Sequence, residues 1–248
     1  MLERELFIRS ITVTPPENTH TYPFNLPIVR HLKTLQIKQP VTFFVGENGS
    51  GKSTLLEAIA VAYGFNAEGG SKHLNFQTKA THSTLASHIR LAKGIIAARD
   101  GFFLRAESFY NVASKYDEIE EDAFVPHTSY GGTSLHEMSH GESFLTLASN
   151  RFFGNGLYIL DEPESALSPM SQFALLSLIH ELVVKKKSQF IIATHSPILL
   201  AYPNATIYAF DETGIEKTAY TDTEHYILYK NFLESDRMLH ELLRLNDD

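Results

Sequence analysis

The chain has 248 residues, 43% of them hydrophobic, a formal net charge of −8 at pH 7 and no cysteine. That length fits one large α/β domain or two small ones around a packed core, and the lack of cysteine excludes disulfides and thiolate metal sites. The acidic balance argues against a broad nucleic-acid footprint, although a local basic patch stays open, and no apolar run reaches the roughly 20 residues that span a bilayer. The amino terminus, MLERELFIRS, has no apolar signal-peptide core, so the expected location is cytoplasmic.

In chain order, Leu6 to Val13 alternates as a strand does, and Pro15-Pro16-Glu17-Asn18 signals a turn. Val41 to Val45 is β-branched and aromatic without polar alternation, which predicts a buried strand, and Leu55 to Ala62 predicts a helix. After the loose segment GFNAEGG, apolar residues from Ser83 to Ala98 recur at helical spacing, and Asp100-Gly101 reads as a turn into the strand-like Phe102 to Ala106. Residues 71–150 read as an insertion, with the acidic run Asp117 to Asp122 and the segment Ser129 to Thr133 as exposed connections. Gly156 to Leu160 predicts a second buried strand, Gln172 to Lys186 an amphipathic helix and Gln189 to Thr194 a third strand. The alternation indicates an α/β fold. Ala205 to Phe210 and Gly214 to Tyr220 predict a hairpin across Asp211-Glu212-Thr213, and two helical stretches finish the chain. Lys185-Lys186-Lys187 suits the negative end of a helix dipole.

The densest chemistry lies between the first buried strand and its helix, where Gly46-Glu47-Asn48-Gly49-Ser50-Gly51-Lys52-Ser53-Thr54 has the spacing of a phosphate-binding loop. Such a loop works because glycines let backbone N–H groups of the turn and the helix N-terminus converge on phosphate oxygens. Lys52 is expected to place a point charge on the β- and γ-phosphates, and the Ser53 hydroxyl to ligate Mg²⁺. The strand Leu157-Tyr158-Ile159-Leu160 ends in Asp161-Glu162, with Pro163 stopping it. Asp161 is expected to hold Mg²⁺ through water, and Glu162 to polarise the water that attacks the γ-phosphate. Tyr22 or Phe24 is a candidate to stack on the base, core packing being the plainer role for either.

Leu160 to Leu167 (LDEPESAL) together with Ala193-Thr194-His195-Ser196 resembles the core of an ATP-binding-cassette (ABC) ATPase, and Met138-Ser139-His140-Gly141-Glu142 resembles that family's signature in the form found in the SMC/RecF-like branch. Glu164 to Ser168 resembles the D-loop. More narrowly, YPFNLP, GENGSGKSTLLEAIA, RAESFYNV, SHGES and IIATHSPILLAYP resemble small stand-alone bacterial ATPases of AAA or ABC type. The resemblance covers essentially the whole chain. It implies a P-loop fold with a mixed, largely parallel sheet core and an inserted helical lobe ending in the signature, with ATP and Mg²⁺ as cofactors.

By the same resemblance, two subunits pack head to tail, and Ser139, Gly141 and Glu142 at a helix start close the neighbour's ATP, so a homodimer forms when ATP binds. His195 becomes the switch histidine at the γ-phosphate, and Gln77 a Mg²⁺-sensing glutamine at the start of the insertion. His140 departs from the family's glycine, which bears on the geometry of the signature. The expected function is an ATP-hydrolysing protein that passes its nucleotide state to a protein partner or to DNA, in repair or defence. A transporter's ATP-binding subunit is the alternative, and an ATP-sensing partner of a nuclease or toxin a third reading.

Overall fold

Strands that are apolar on both faces need cover on both faces, and that requirement sets the architecture. The computed structural model describes residues 5–17, 19–71, 84–106, 109, 111, 114, 138–235 and 237–244. The chain runs through β1 (Ile8–Val13), α1 (Pro27–His31), β2 (Thr34–Gln36), β3 (Val41–Gly46) and α2 (Lys52–Tyr63). Then come β4 (Gly70–Ser71), β5 (Ile89–Lys93), β6 (Asp100–Arg105), α3 (His140–Arg151), β7 (Gly156–Asp161) and α4 (Pro169–Lys186). The last third is β8 (Gln189–Ala193), α5 (Pro197–Leu200), β9 (Thr206–Asp211), β10 (Gly214–Thr218), α6 (Glu224–Glu234) and α7 (Arg237–Leu243).

Among the described residues a large sheet has the order β10-β9-β3-β8-β7-β6-β4, and β2-β1-β5 forms a small antiparallel one. The centre of the large sheet, from β9 through β3, β8 and β7 to β6, is parallel. Alternate residues of its strands point to opposite sides. Phe43, Tyr158, Leu160 and Ile192 pack under α3 and α4, whereas Phe44, Ile159 and Ile191 pack against α2 and the small sheet. This is a mixed α/β fold, as the strand and helix alternation predicted, with the parallel sheet core that the resemblance implied.

One predicted element is corrected. Ser83 to Ala98 is not a helix: Thr84–His88 makes a 3₁₀ turn, and β5 pairs antiparallel with β1, Leu91 opposite Ile11. Pairing with a segment some eighty residues away outweighs local spacing, which is how tertiary context overrides periodicity. Asp100 and Gly101 likewise begin β6, paired with Gly156 and Leu157, instead of turning. Of the stretch read as an insertion, residues 89–93 and 100–105 are strands of the two sheets and α3 lies in the core. Gln77, the acidic run Asp117 to Asp122 and Ser129 to Thr133 lie outside the described residues.

A buried side chain helps to join the two sheets. Gln189 at the start of β8 accepts from the N–H groups of Phe7 and Ile8 at 2.7 and 2.9 Å and donates to the Ile8 carbonyl at 2.9 Å. Its removal would strand three buried backbone groups, at about 1–3 kcal/mol each before relaxation. Gln189→Leu should therefore lower unfolding stability by about 2–4 kcal/mol in denaturant titration; an unchanged midpoint would show that the sheets are held together elsewhere.

Candidate active site

The phosphate loop leaves β3 at Gly46, where φ is +146° and a Cβ would lie 2.3 Å from the Phe210 carbonyl oxygen, so only glycine fits. Gly51, at φ +96°, begins α2 with no side-chain cap, which leaves the first N–H groups of that helix open to an anion. Lys52 is 4% exposed and donates to the carbonyls of Gly46 and Glu47 at 2.7 and 2.8 Å. Burial pushes its ammonium below the usual lysine range, against the opposing pull of Glu162, Asp161 and Glu164. A chamber of about 260 Å³ opens over this loop, lined by Asn48, Gly49, Gly51 to Thr54, Glu162, Tyr22 and Leu26.

Parallel register delivers the rest. Ala193 of β8 pairs with Phe44 on one side and Asp161 on the other, so three strand ends lie level. Ser53 Oγ donates to Asp161 Oδ1 at 2.9 Å. A hydroxyl and a carboxylate side by side at a phosphate loop are hard oxygen donors that suit Mg²⁺, an ion that keeps waters and phosphate oxygens as its other ligands. Among the described residues no cluster of three or more histidine or acidic side chains could hold a metal by itself. Arg105, at the end of β6, lies 3.7 Å from Asp161 Oδ2 and bonds Glu57 of α2 at 2.9 Å.

Glu162 turns off the strand in a left-handed conformation, φ +50°, with its N–H bonded to the Ala193 carbonyl at 2.9 Å. Its Oε1 sits 3.7 Å from His195 Nε2. The His195 N–H donates to Glu164 Oε1 at 2.5 Å, and its Nδ1 is 3.0 Å from His225 Nε2. Burial, then the charge of Lys52, then His225 press the His195 pKa down to about 4, so its ring is neutral near pH 7.

Family profiles agree with this geometry. One described as "AAA domain" matches residues 21–121, and one described as "AAA domain, putative AbiEii toxin, Type IV TA system" matches residues 90–201. The two AAA-domain profiles, which between them span residues 21–201, support a P-loop ATPase of ABC/SMC-like type. No curated protein matches it. Among solved structures, cbiO1 from Clostridium perfringens, part of the ABC transporter complex cbiONQ, is 19% identical over 96% of this chain and 99% of its own, with a TM-score of 0.55. A putative metal-chelate type ABC transporter is 15% identical over 90% of this chain and 88% of its own, with a TM-score of 0.50. The SMC head domain from Thermotoga maritima is 16% identical over 86% and 99%, with a TM-score of 0.45. At these identities the likeness is one of fold.

The remaining predicted site positions divide. Ser139 caps α3 in a reciprocal box: Glu142 Oε2 accepts from the Ser139 N–H at 3.1 Å and from its hydroxyl at 2.7 Å. Ser139, Gly141 and Glu142 do not line the chamber of their own chain. Gly141 packs closely instead, since a Cβ there would lie 3.0 Å from the Ala166 carbonyl. Of the two aromatic candidates, Phe24 is buried with its ring 4.8 Å from His88, whereas Tyr22 is 64% exposed and its hydroxyl lies 3.1 Å from Thr54 Oγ1. Gln77 lies outside the described residues.

Three neighbours escaped the sequence reading as site residues: Arg105, Glu164 and His225. Arg105 had a signal, a charge closing an apolar strand much as Asp161 closes another. His225 had none, being 30 residues from its partner.

The depressed His195 pKa has a consequence for stability. The unfolded ring binds a proton near its usual value of 6.5 and the folded ring only near 4, so the stabilisation is present above pH 6.5 and is lost as pH falls toward 4. His195→Gln should flatten the fall of unfolding free energy between those two values. An identical slope in wild type and variant would refute the burial of a neutral ring.

Proposed function

We propose that the protein binds ATP with Mg²⁺, hydrolyses it to ADP and phosphate, and does so in a head-to-tail homodimer whose nucleotide state is passed to a partner in the cytoplasm. The observation that carries the reading is that Lys52, Ser53 and Glu162 line one chamber at the open N-terminus of α2, with Asp161 bonded to Ser53 behind it. Mg²⁺ held by Ser53 and Asp161, with Gln77 as a further candidate ligand, would neutralise charge on the β- and γ-phosphates.

Lys52 exchanges its two loop carbonyls for phosphate oxygens, while the N–H groups of Gly46 to Thr54 cradle the remaining charge. Glu162 orients the attacking water and takes up its proton, and the neutral His195 ring donates through Nε2 to the terminal phosphate. Ser139, Gly141 and Glu142 are exposed or half-exposed and turned away from their own chamber, which suits service to a second copy. Groups supplied in trans contribute about 10³ to 10⁵ in rate to phosphoryl transfer, so dimerisation would act as the switch.

A partner in defence is favoured by the profile whose description includes a putative toxin of a type IV toxin–antitoxin system. The net charge of −8 weakens the case for DNA as the partner. The alternative, a transporter's ATP-binding subunit, draws on the fold shared with cbiO1 across nearly the full length of both chains. Stable co-purification with a membrane protein would favour it over the first reading.

Lys52→Ala should abolish ATP binding in calorimetry, and undiminished affinity would refute its role. Glu162→Gln should retain ATP unhydrolysed and accumulate a dimer in light scattering. A monomer at saturating ATP would overturn the sandwich.

A further inference from the structure

The ring of His195 has two edges with different neighbours. Nδ1 faces His225 Nε2 at 3.0 Å, and Nε2 faces Glu162 Oε1 at 3.7 Å, buried and without a hydrogen bond among the described residues. Two neutral imidazoles at that distance share one proton, so one ring donates and the other accepts. Were His195 the donor, its Nε2 would present a lone pair to a carboxylate, a repulsive contact, and would have no proton to offer a phosphate. Were His225 the donor, His195 would carry its proton on Nε2, directed at Glu162, which itself lines the chamber. Electrostatics selects the second arrangement.

His225 is held for this task by its own helix start. Thr223 caps α6, its hydroxyl oxygen accepting from the Tyr226 N–H at 3.3 Å while its hydroxyl donates to the Tyr220 carbonyl at 2.7 Å. The Tyr220 hydroxyl donates in turn to the Pro197 carbonyl at 3.0 Å, two residues beyond His195. The start of α6 therefore grips the His195 segment at two points, one through backbone and one through the ring. On the Glu162 side the His195 N–H is fixed by Glu164. Such a neighbour, fixing which ring nitrogen carries the proton, is the usual means by which proteins orient an imidazole.

We infer that His225 is a positioning residue that donates its Nε2–H to His195 Nδ1 and so keeps His195 in the Nε2-protonated tautomer needed to donate toward the terminal phosphate. The inference rests on the reading of His195 as a phosphate-contacting group, yet the tautomer itself is observable without nucleotide.

The test is a long-range ¹H–¹⁵N spectrum of histidine rings in the full ¹⁵N-labelled chain at about pH 7.5, with His195 assigned from the His195→Gln variant. His195 should show a bare Nδ1 and a protonated Nε2. His225→Leu should lose that single pattern in favour of a tautomer mixture and lower kcat about tenfold at little-changed ATP affinity. His225→Gln, whose amide nitrogen reaches the same point as the imidazole Nε2, should restore both. A protonated Nδ1 on wild-type His195, a ring pattern untouched by His225→Leu, or failure of Gln to restore what Leu removes would overturn the inference. Full kcat in His195→Leu, which leaves no donor at the Nε2 position, would instead sink the phosphate-contact reading, whatever the ring spectra report.

Discussion

Parallel pairing of β3, β8 and β7 is the constraint on which the site depends. Adjacent strands lie about 4.8 Å apart, so groups at the same level on three neighbours fall within about one nanometre. Register does the levelling: the Thr194 N–H bonds the Phe44 carbonyl at 3.1 Å, and the Glu162 N–H bonds the Ala193 carbonyl at 2.9 Å. These two bonds continue the ladder one residue past the strands, into the segments that carry the chemistry. A slip of one residue in β7 would turn Tyr158 and Leu160 out of their core cluster and carry Asp161 away from Ser53, so packing on both faces protects the site geometry.

Around that edge charge is arranged in layers. Lys52 sits deepest, hydrogen-bonded to two loop carbonyls, with Asp161, Glu162 and Glu164 near enough to offset part of its burial. Burial raises the pKa of Glu164, and its oxygen accepts from the His195 N–H. Arg105 adds a second cation on the far side of Asp161, itself braced by Glu57 from α2. Glu162 adopts a left-handed backbone that costs a non-glycine residue about 1–2 kcal/mol. The compensation is direction: the turn takes its carboxylate off the strand and to His195, while Pro163 starts the next short turn. Local strain at a position of this kind persists because surrounding bonds over-determine it.

Much of this was legible because the phosphate loop, the acidic strand end and the histidine each follow an apolar β-strand in sequence, and strand ends of a parallel sheet share an edge. Val41 to Val45, Gly156 to Leu160 and Gln189 to Thr194 carried that information in their unbroken apolar character. The segment from Ser83 to Ala98 misled for the opposite reason. Its apolar residues mimic a helical stripe, yet Ile95 and Ile96 are 84% and 59% exposed, and among its described residues only Leu85 is buried outright. Half-buried pairing with β1 decides its form, and β1 is remote in sequence. His225 meets His195 across the fold, so no local spacing announces it, whereas Arg105 was marked only by the charge that closes its apolar strand.

The signature helix adds a last consideration about the proposed dimer. The N-terminus of α3 is already occupied by an anion of its own: the Glu142 carboxylate takes both the N–H and the hydroxyl of Ser139, and those bonds hold its pKa below the usual glutamate range. A phosphate from a second copy would have to replace that carboxylate at the hydroxyl, since one proton cannot serve two acceptors. Exchange of one anion for another at a helix start leaves the dipole interaction in place and changes only its owner. The box keeps α3 capped in the single chain, so the proposed trans contact would take over the Ser139 hydroxyl without requiring the signature helix to form anew.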